Sequence, residues 1–165
     1  MVGLRPATEA DIPAMMEAER QPGYDALVGR FTTQEHVANL ADPTAAYQVA
    51  VGREGQVLGF VFFRDLTDPH ANLYIKRVVV AEANKGTGTA MLRLALAWAF
   101  TETSAYRIWL THVPENLRAH ALYSKLGFRE EGLLRQAYGR ADGTRGDLVQ
   151  MSLLKPEWTA AASIR

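Results

Sequence analysis

Two stretches of the chain carry residue types at spacings that can do chemistry. The first is Val78, Val79, Val80, Ala81, Glu82, Ala83, Asn84, Lys85, Gly86, Thr87, Gly88, Thr89, Ala90, which passes from a β-branched run through a glycine-rich turn into an apolar helical pattern. Such a turn presents successive backbone N–H donors with the positive end of a helix dipole behind them. The missing side chains at Gly86 and Gly88 let an anion approach the backbone closely. Residues Asn84, Lys85, Gly86, Thr87, Gly88 and Thr89 could therefore cradle a pyrophosphate, with Lys85 adding a positive charge; the same spelling also serves close packing of a helix on a strand. Two other phosphate motifs fit poorly. A phosphate loop needs Gly-Lys followed by Ser or Thr, whereas Lys85 precedes Gly86, and a dinucleotide fingerprint needs a third glycine where Met91 stands.

The second stretch runs Asn116, Leu117, Arg118, Ala119, His120, Ala121, Leu122, Tyr123, Ser124, Lys125, Leu126, Gly127, Phe128. Asn116 is suited to cap a helix and Gly127 to end it, about three turns later at the usual rise per residue. Tyr123 then lies close to two turns from Asn116. By spacing alone, Asn116 is a cap, Tyr123 a core aromatic with a wet hydroxyl, and Lys125 a solvated charge.

The elements around these stretches are legible from periodicity. Val2 to Pro6 reads as an edge strand, and Thr8 caps a helix running to about Arg20, with Asp11 three positions on. Pro22, Gly23 and Gly29 break Gln21 to Arg30, a candidate substrate-facing loop, before a short helix from Thr33 through Leu40. Tyr47 to Val51 and Val57 to Phe63 form a hairpin, and Leu73 to Val80 a strand whose final valines suit a position buried on both faces. Thr89 to Phe100 contains Arg93 as its one charge and predicts a largely buried helix. A strand over Ile108 to His112, a helix over Asn116 to Leu126 and a hairpin of Phe128 to Tyr138 with Asp147 to Leu154 complete the order. This succession predicts an α/β domain with a mixed sheet and a right-handed crossover.

Composition narrows the chemistry. At 165 residues and 48% hydrophobic content, one domain over residues 1–165 with its own core is expected. Eighteen basic and eighteen acidic residues leave no basic footprint for a nucleic acid. The absence of cysteine removes disulfides, thiolate zinc sites and a cysteine nucleophile, and His36, His70 and His120 show no ligand spacing, so no metal is assigned. No apolar run reaches membrane-spanning length, and a cytoplasmic protein is expected.

The run from Asn116 to Phe128 resembles the Asn-x-x-Ala-x-x-Leu-Tyr-x-Lys-Leu-Gly-Phe stretch of the GNAT superfamily of acyl-CoA N-acyltransferases. That family's turn, Arg or Gln, two residues, Gly, one residue, Gly or Ala, is matched at Gly86 and Gly88 but begins here with Ala83, which removes one side-chain contact. The resemblance extends from Val2, through the opening Leu4, Arg5, Pro6, Ala7, to Trp158. The tail Gly127 to Arg135 is similar to the branch of ribosomal-protein N-terminal and polyamine acetyltransferases. It implies a mixed, mostly antiparallel central sheet of six to seven strands flanked by about four helices, the GNAT fold.

The resemblance also implies a mechanism. An amine with an ordinary pKa near 10.4 must shed a proton before attacking the thioester of acetyl-CoA in a ternary complex. Backbone amides around Val78, Val79 and Val80 would hold the pantetheine arm and polarise the carbonyl, and Asn116 would bond the same arm. Tyr123, protonated at neutral pH, would protonate the departing coenzyme A thiolate. Many relatives carry a base glutamate where this strand has Tyr74; Glu82, His112 and Glu115 are nearby in sequence, with His112 the best placed. An acyl-CoA sensor or structural module without turnover is the alternative, and a nucleotide hydrolase a third reading. The acceptor stays open between a peptide N-terminus, an amino acid, a polyamine, an aminosugar and an antibiotic. The exposed edge of the last hairpin admits a homodimer.

Overall fold

The protein is described from a computed structural model covering residues 1–24, 27, 29–82 and 85–162. Seven strands, β1 (Gly3–Pro6), β2 (Ala46–Val51), β3 (Val57–Arg64), β4 (Asn72–Val80), β5 (Arg107–His112), β6 (Arg129–Gly139) and β7 (Arg145–Leu154), form one sheet in the order β1-β2-β3-β4-β5-β7-β6. Every neighbouring pair is antiparallel except β4 and β5, which are parallel because helix α3 (Thr87–Glu102) carries the chain across between them. The remaining helices are α1 (Ile12–Glu19), α2 (Thr33–Ala41), α4 (Leu117–Lys125) and α5 (Lys155–Ala162). The α/β class, the mixed sheet and the helix count near four match the expectation, α5 being the addition.

Local chemistry explains the boundaries. Thr8 and Asp11 form a capping box, but Pro13 in the first turn confines regular α-helix to Ile12 onward, after a 3-10 turn over Glu9–Asp11. Thr32 caps α2 by accepting from the Glu35 amide at 3.2 Å while the Glu35 carboxylate accepts from the Thr32 amide at 2.7 Å.

The sheet separates two apolar layers. Val61 and Phe63 face α3 with Leu73, Ile75, Met91, Leu96 and Ile108, whereas Phe60 and Phe62 face α1 with Met15, Tyr47, Val49 and Val79. Strand alternation puts odd and even residues of β3 into different cores. In β4 the alternation breaks: Phe62 lies opposite Arg77 and Phe63 opposite Ile75, so Lys76 is an extra residue in a β-bulge. Ile75 and Val78 therefore both pack on the α3 layer, and Arg77 turns to the α1 side.

The candidate active site between strands four and five

The register of β4 on β5 runs from Asn72 opposite Arg107 to Ile75 opposite Leu110 and stops there, although β4 continues to Val80 and β5 to His112. The strands splay, and the β5-facing edge of β4 beyond Lys76 is left without a strand partner. A cavity of about 640 Å³ occupies the gap, lined among others by Val78, Val80, His112, Asn116 and Tyr123. Val79 points the other way and is buried. The expectation of valines buried on both faces thus fails at Val78 and Val80, which are half-buried because β5 has moved away from them.

The cavity brings in residues that spacing did not connect. Tyr24, Leu27 and Gly29 of the glycine- and proline-broken segment line it, as do Tyr74 and Lys76 of β4 and Tyr138 to Ala141 at the last hairpin. The Tyr24 hydroxyl donates to the Val80 carbonyl at 3.1 Å, and Gln21 donates to the carbonyls of Val80 and Ala81, so the segment is tied to the end of β4. Tyr74 stacks on Trp109 with centroids 4.0 Å apart. The proline and glycines of Gln21 to Arg30 mark that segment as a candidate substrate-facing loop, and its described residues Tyr24, Leu27 and Gly29 line the cavity, but no motif marks Lys76 or Tyr138 to Ala141.

Tyr123 has a buried ring, 8% exposed, packed near His112 and Phe128. Its hydroxyl makes no protein hydrogen bond, yet no described side-chain oxygen or nitrogen is both buried and unpartnered. The hydroxyl therefore opens into the cavity. Burial, and next the nearby Tyr74, push its pKa well above the ordinary tyrosine value, so it stays protonated throughout the physiological range. Asn116 caps α4 by accepting from the Ala119 amide at 3.1 Å, which leaves its side-chain N–H groups free for a ligand.

The glycine turn stands at the far end of β4, outside the cavity lining. Gly86 caps α3 in the left-handed region at φ 75°, which a side chain would disfavour. A Cβ at Gly88 would lie 3.4 Å from Val80 and 3.5 Å from Leu122, both cavity residues, so the start of α3 is wedged against the site. First-turn amides of Thr87, Gly88 and Thr89 have no helical acceptor and suit an anion. Lys85 forms an exposed ion pair with Glu82, which offsets part of its charge. Asn84 and Ala83 lie outside the described residues.

Neither acidic base candidate reaches the cavity: Glu82 is paired with Lys85 and Glu115 is exposed. His112 does line it, but both ring nitrogens are engaged. Nδ1 donates to the Val113 carbonyl at 2.8 Å, and Nε2 lies 3.1 Å from His120 Nδ1. Burial pushes the His112 pKa below its ordinary value, the Val113 bond acting against this and His120 with it. Among the described residues no cluster of histidines and carboxylates suits a metal ion.

The site thus combines a parallel pair splayed over a strand edge, a helix N-terminus at one end and a tyrosine hydroxyl that opens inside. The chain belongs to the acetyltransferase (GNAT) family, whose sequence profile matches residues 11–128. It is 30% identical over 106 residues to the putative ribosomal N-acetyltransferase YdaF of Bacillus subtilis, covering 64% of this chain and 57% of that protein. It is 26% identical over 108 residues to spermidine N(1)-acetyltransferase of Escherichia coli K12, covering 65% and 58%. The match thus spans less than two thirds of the length of either relative. Among solved structures, spermidine N-acetyltransferase from Vibrio cholerae in complex with CoA and spermine superposes with a TM-score of 0.84 at 20% identity, covering 96% of this chain and 98% of that one. That likeness establishes the fold.

Proposed function

We propose that this protein transfers an acetyl group from acetyl-CoA to a primary amine in a ternary complex, with no metal. The observation that carries the reading is the gap between β4 and β5, where a backbone edge without a strand partner and an unpartnered tyrosine hydroxyl face the same cavity. The glycine turn at its end suits the pyrophosphate, the edge at Val78 to Val80 suits the amides of the pantetheine arm, and Asn116 adds a side-chain donor. The family membership and the CoA-bound neighbour support this assignment.

In this scheme the neutral amine attacks the thioester carbonyl, forming the C–N bond and an oxyanion stabilised by backbone N–H groups. The attacking nitrogen then loses its proton to water in the cavity, His112 having no free lone pair. Collapse breaks the C–S bond, and the Tyr123 hydroxyl gives its proton to the sulfur as the thiol leaves, regaining one from water. The test is a thiol-release assay against a panel of amines, with Tyr123→Phe beside wild type. A fall in kcat of about 100-fold is expected from loss of a general acid. Acetyl-CoA binding without turnover on any amine would favour the sensor reading instead.

We further read the protein as a cytoplasmic homodimer. Support for the dimer comes from β6, an outer edge of 11 residues with Leu133 and Leu134 exposed on it. Light scattering should give twice the chain mass, and Leu133→Lys should return it to the monomer.

A further inference from the structure

Among the described residues, the charged side chains that line the cavity have one sign. Lys76, Arg77, Arg118 and Arg140 line it, and among the described residues no aspartate or glutamate does. The net charge of the whole chain, zero, conceals this concentration. Arg77 is already committed: it bonds Glu19 at 2.9 Å and lies over the Phe31 ring at 3.4 Å. Arg118 follows Asn116 at the head of α4, where a donor arm would pass.

Lys76 and Arg140 are placed differently. The β4 bulge turns Lys76 outward beside the Tyr74 ring, 5.7 Å from its centroid. Its charged neighbours are Arg77 and Arg64, and no described carboxylate pairs with it; burial first, and then those two cations, push its pKa below the ordinary lysine value. It precedes Val80 by four residues, about 13 Å along an extended strand, and so stands well away from the turn suited to the pyrophosphate. Arg140 bonds the Arg145 carbonyl at 2.6 Å and the Thr144 hydroxyl at 3.4 Å, with Asp142 beyond it on the turn.

We infer that the acceptor is an amine bearing its own carboxylate or phosphate group, held by Lys76 and Arg140, and not a polyamine. The inference rests on the acetyltransferase reading above and names the substrate class of that site. Glu19 offsets Arg77 and Asp142 lies near Arg140, but a polycation entering this cavity would still meet Lys76 and Arg118, with which no described carboxylate pairs, whereas an anionic group would complete the unpaired lysine. The same field has a second consequence. Cations near the bound ammonium favour its neutral form, which supplies the attacking lone pair where no carboxylate base lines the cavity among the described residues.

The test titrates the CoA-saturated protein with aspartyl-alanine, glucosamine 6-phosphate, glycinamide and spermidine by calorimetry, then measures kcat/KM for each by thiol release. The dipeptide and the sugar phosphate separate a carboxylate from a phosphate requirement. At least one anionic amine should exceed spermidine by about 10-fold or more in affinity and in kcat/KM. Lys76→Glu should reverse or erase that preference, and Lys76→Gln should weaken it, with acetyl-CoA affinity within about twofold of wild type because the lysine lies away from the donor. Spermidine preferred by wild type, no binding of either anionic amine, or a preference unmoved in Lys76→Glu would overturn the inference. Failure of acetyl-CoA itself to bind would instead remove the acetyltransferase reading on which it rests.

Discussion

The two faces of the sheet each bury a tyrosine beside a histidine, and they use them oppositely. On the α1 face, Tyr47 is 3% exposed and fully bonded: its hydroxyl lies 2.9 Å from His36 Nδ1 and accepts from Asn39 at 3.2 Å. His36 Nε2 in turn lies 3.2 Å from Glu19, whose other oxygen accepts from Arg77. With the proton on His36 Nε2 and the tyrosine donating to Nδ1, no buried side-chain polar atom of Tyr47, His36, Glu19 and Arg77 lacks a partner. On the α3 face, Tyr123 has a comparably buried ring but a hydroxyl with no protein partner. A closed network holds the fold, whereas an open hydroxyl in a cavity is available to a substrate. Residue type and burial do not distinguish the two; the unused hydrogen bond does.

The contrast can be broken most severely at Glu19. Glu19→Ala strands Arg77 and His36 in the interior and should cost about 3–5 kcal/mol of stability in denaturant melts. Tyr123→Phe should do the reverse of a structural change, losing about 100-fold in kcat while its melting temperature stays at the wild-type value. A matching loss of stability would show that its hydroxyl belongs to the fold. Tyr47→Phe leaves the His36 and Asn39 groups unpaired and should cost about 1–3 kcal/mol with kcat retained. Burial also pushes the Tyr47 pKa up to about 12 from its ordinary value of 10.0, against the bond from Asn39. Its neutral form is thus favoured in the folded state. The associated stability is complete below pH 10 and is lost as pH rises through 12, a slope that Tyr47→Phe should flatten.

Much of the scaffold was legible because local rules and tertiary packing agree in it. Thr8 with Asp11 announced a capping box and Asn116 a cap, and each occupies that place. The first helix began later than expected because Pro13 limits the α-helical hydrogen bonds available before it. The cavity was not legible in the same way. Tyr24, Lys76 and Tyr138 come from three separated segments, and no periodicity links a loop, a bulge and a hairpin end.

The sequence by itself determined the elements, the glycine turn, the capped helix carrying Tyr123 and the resemblance that joins them, because each depends on residues within a few turns of one another. Tertiary structure decided where β4 and β5 part, which side chains the Lys76 bulge re-aims, and that the cations of a neutral chain converge on one cavity. Those outcomes depend on strand register and on charge separation in space, which are fixed only when distant segments pack.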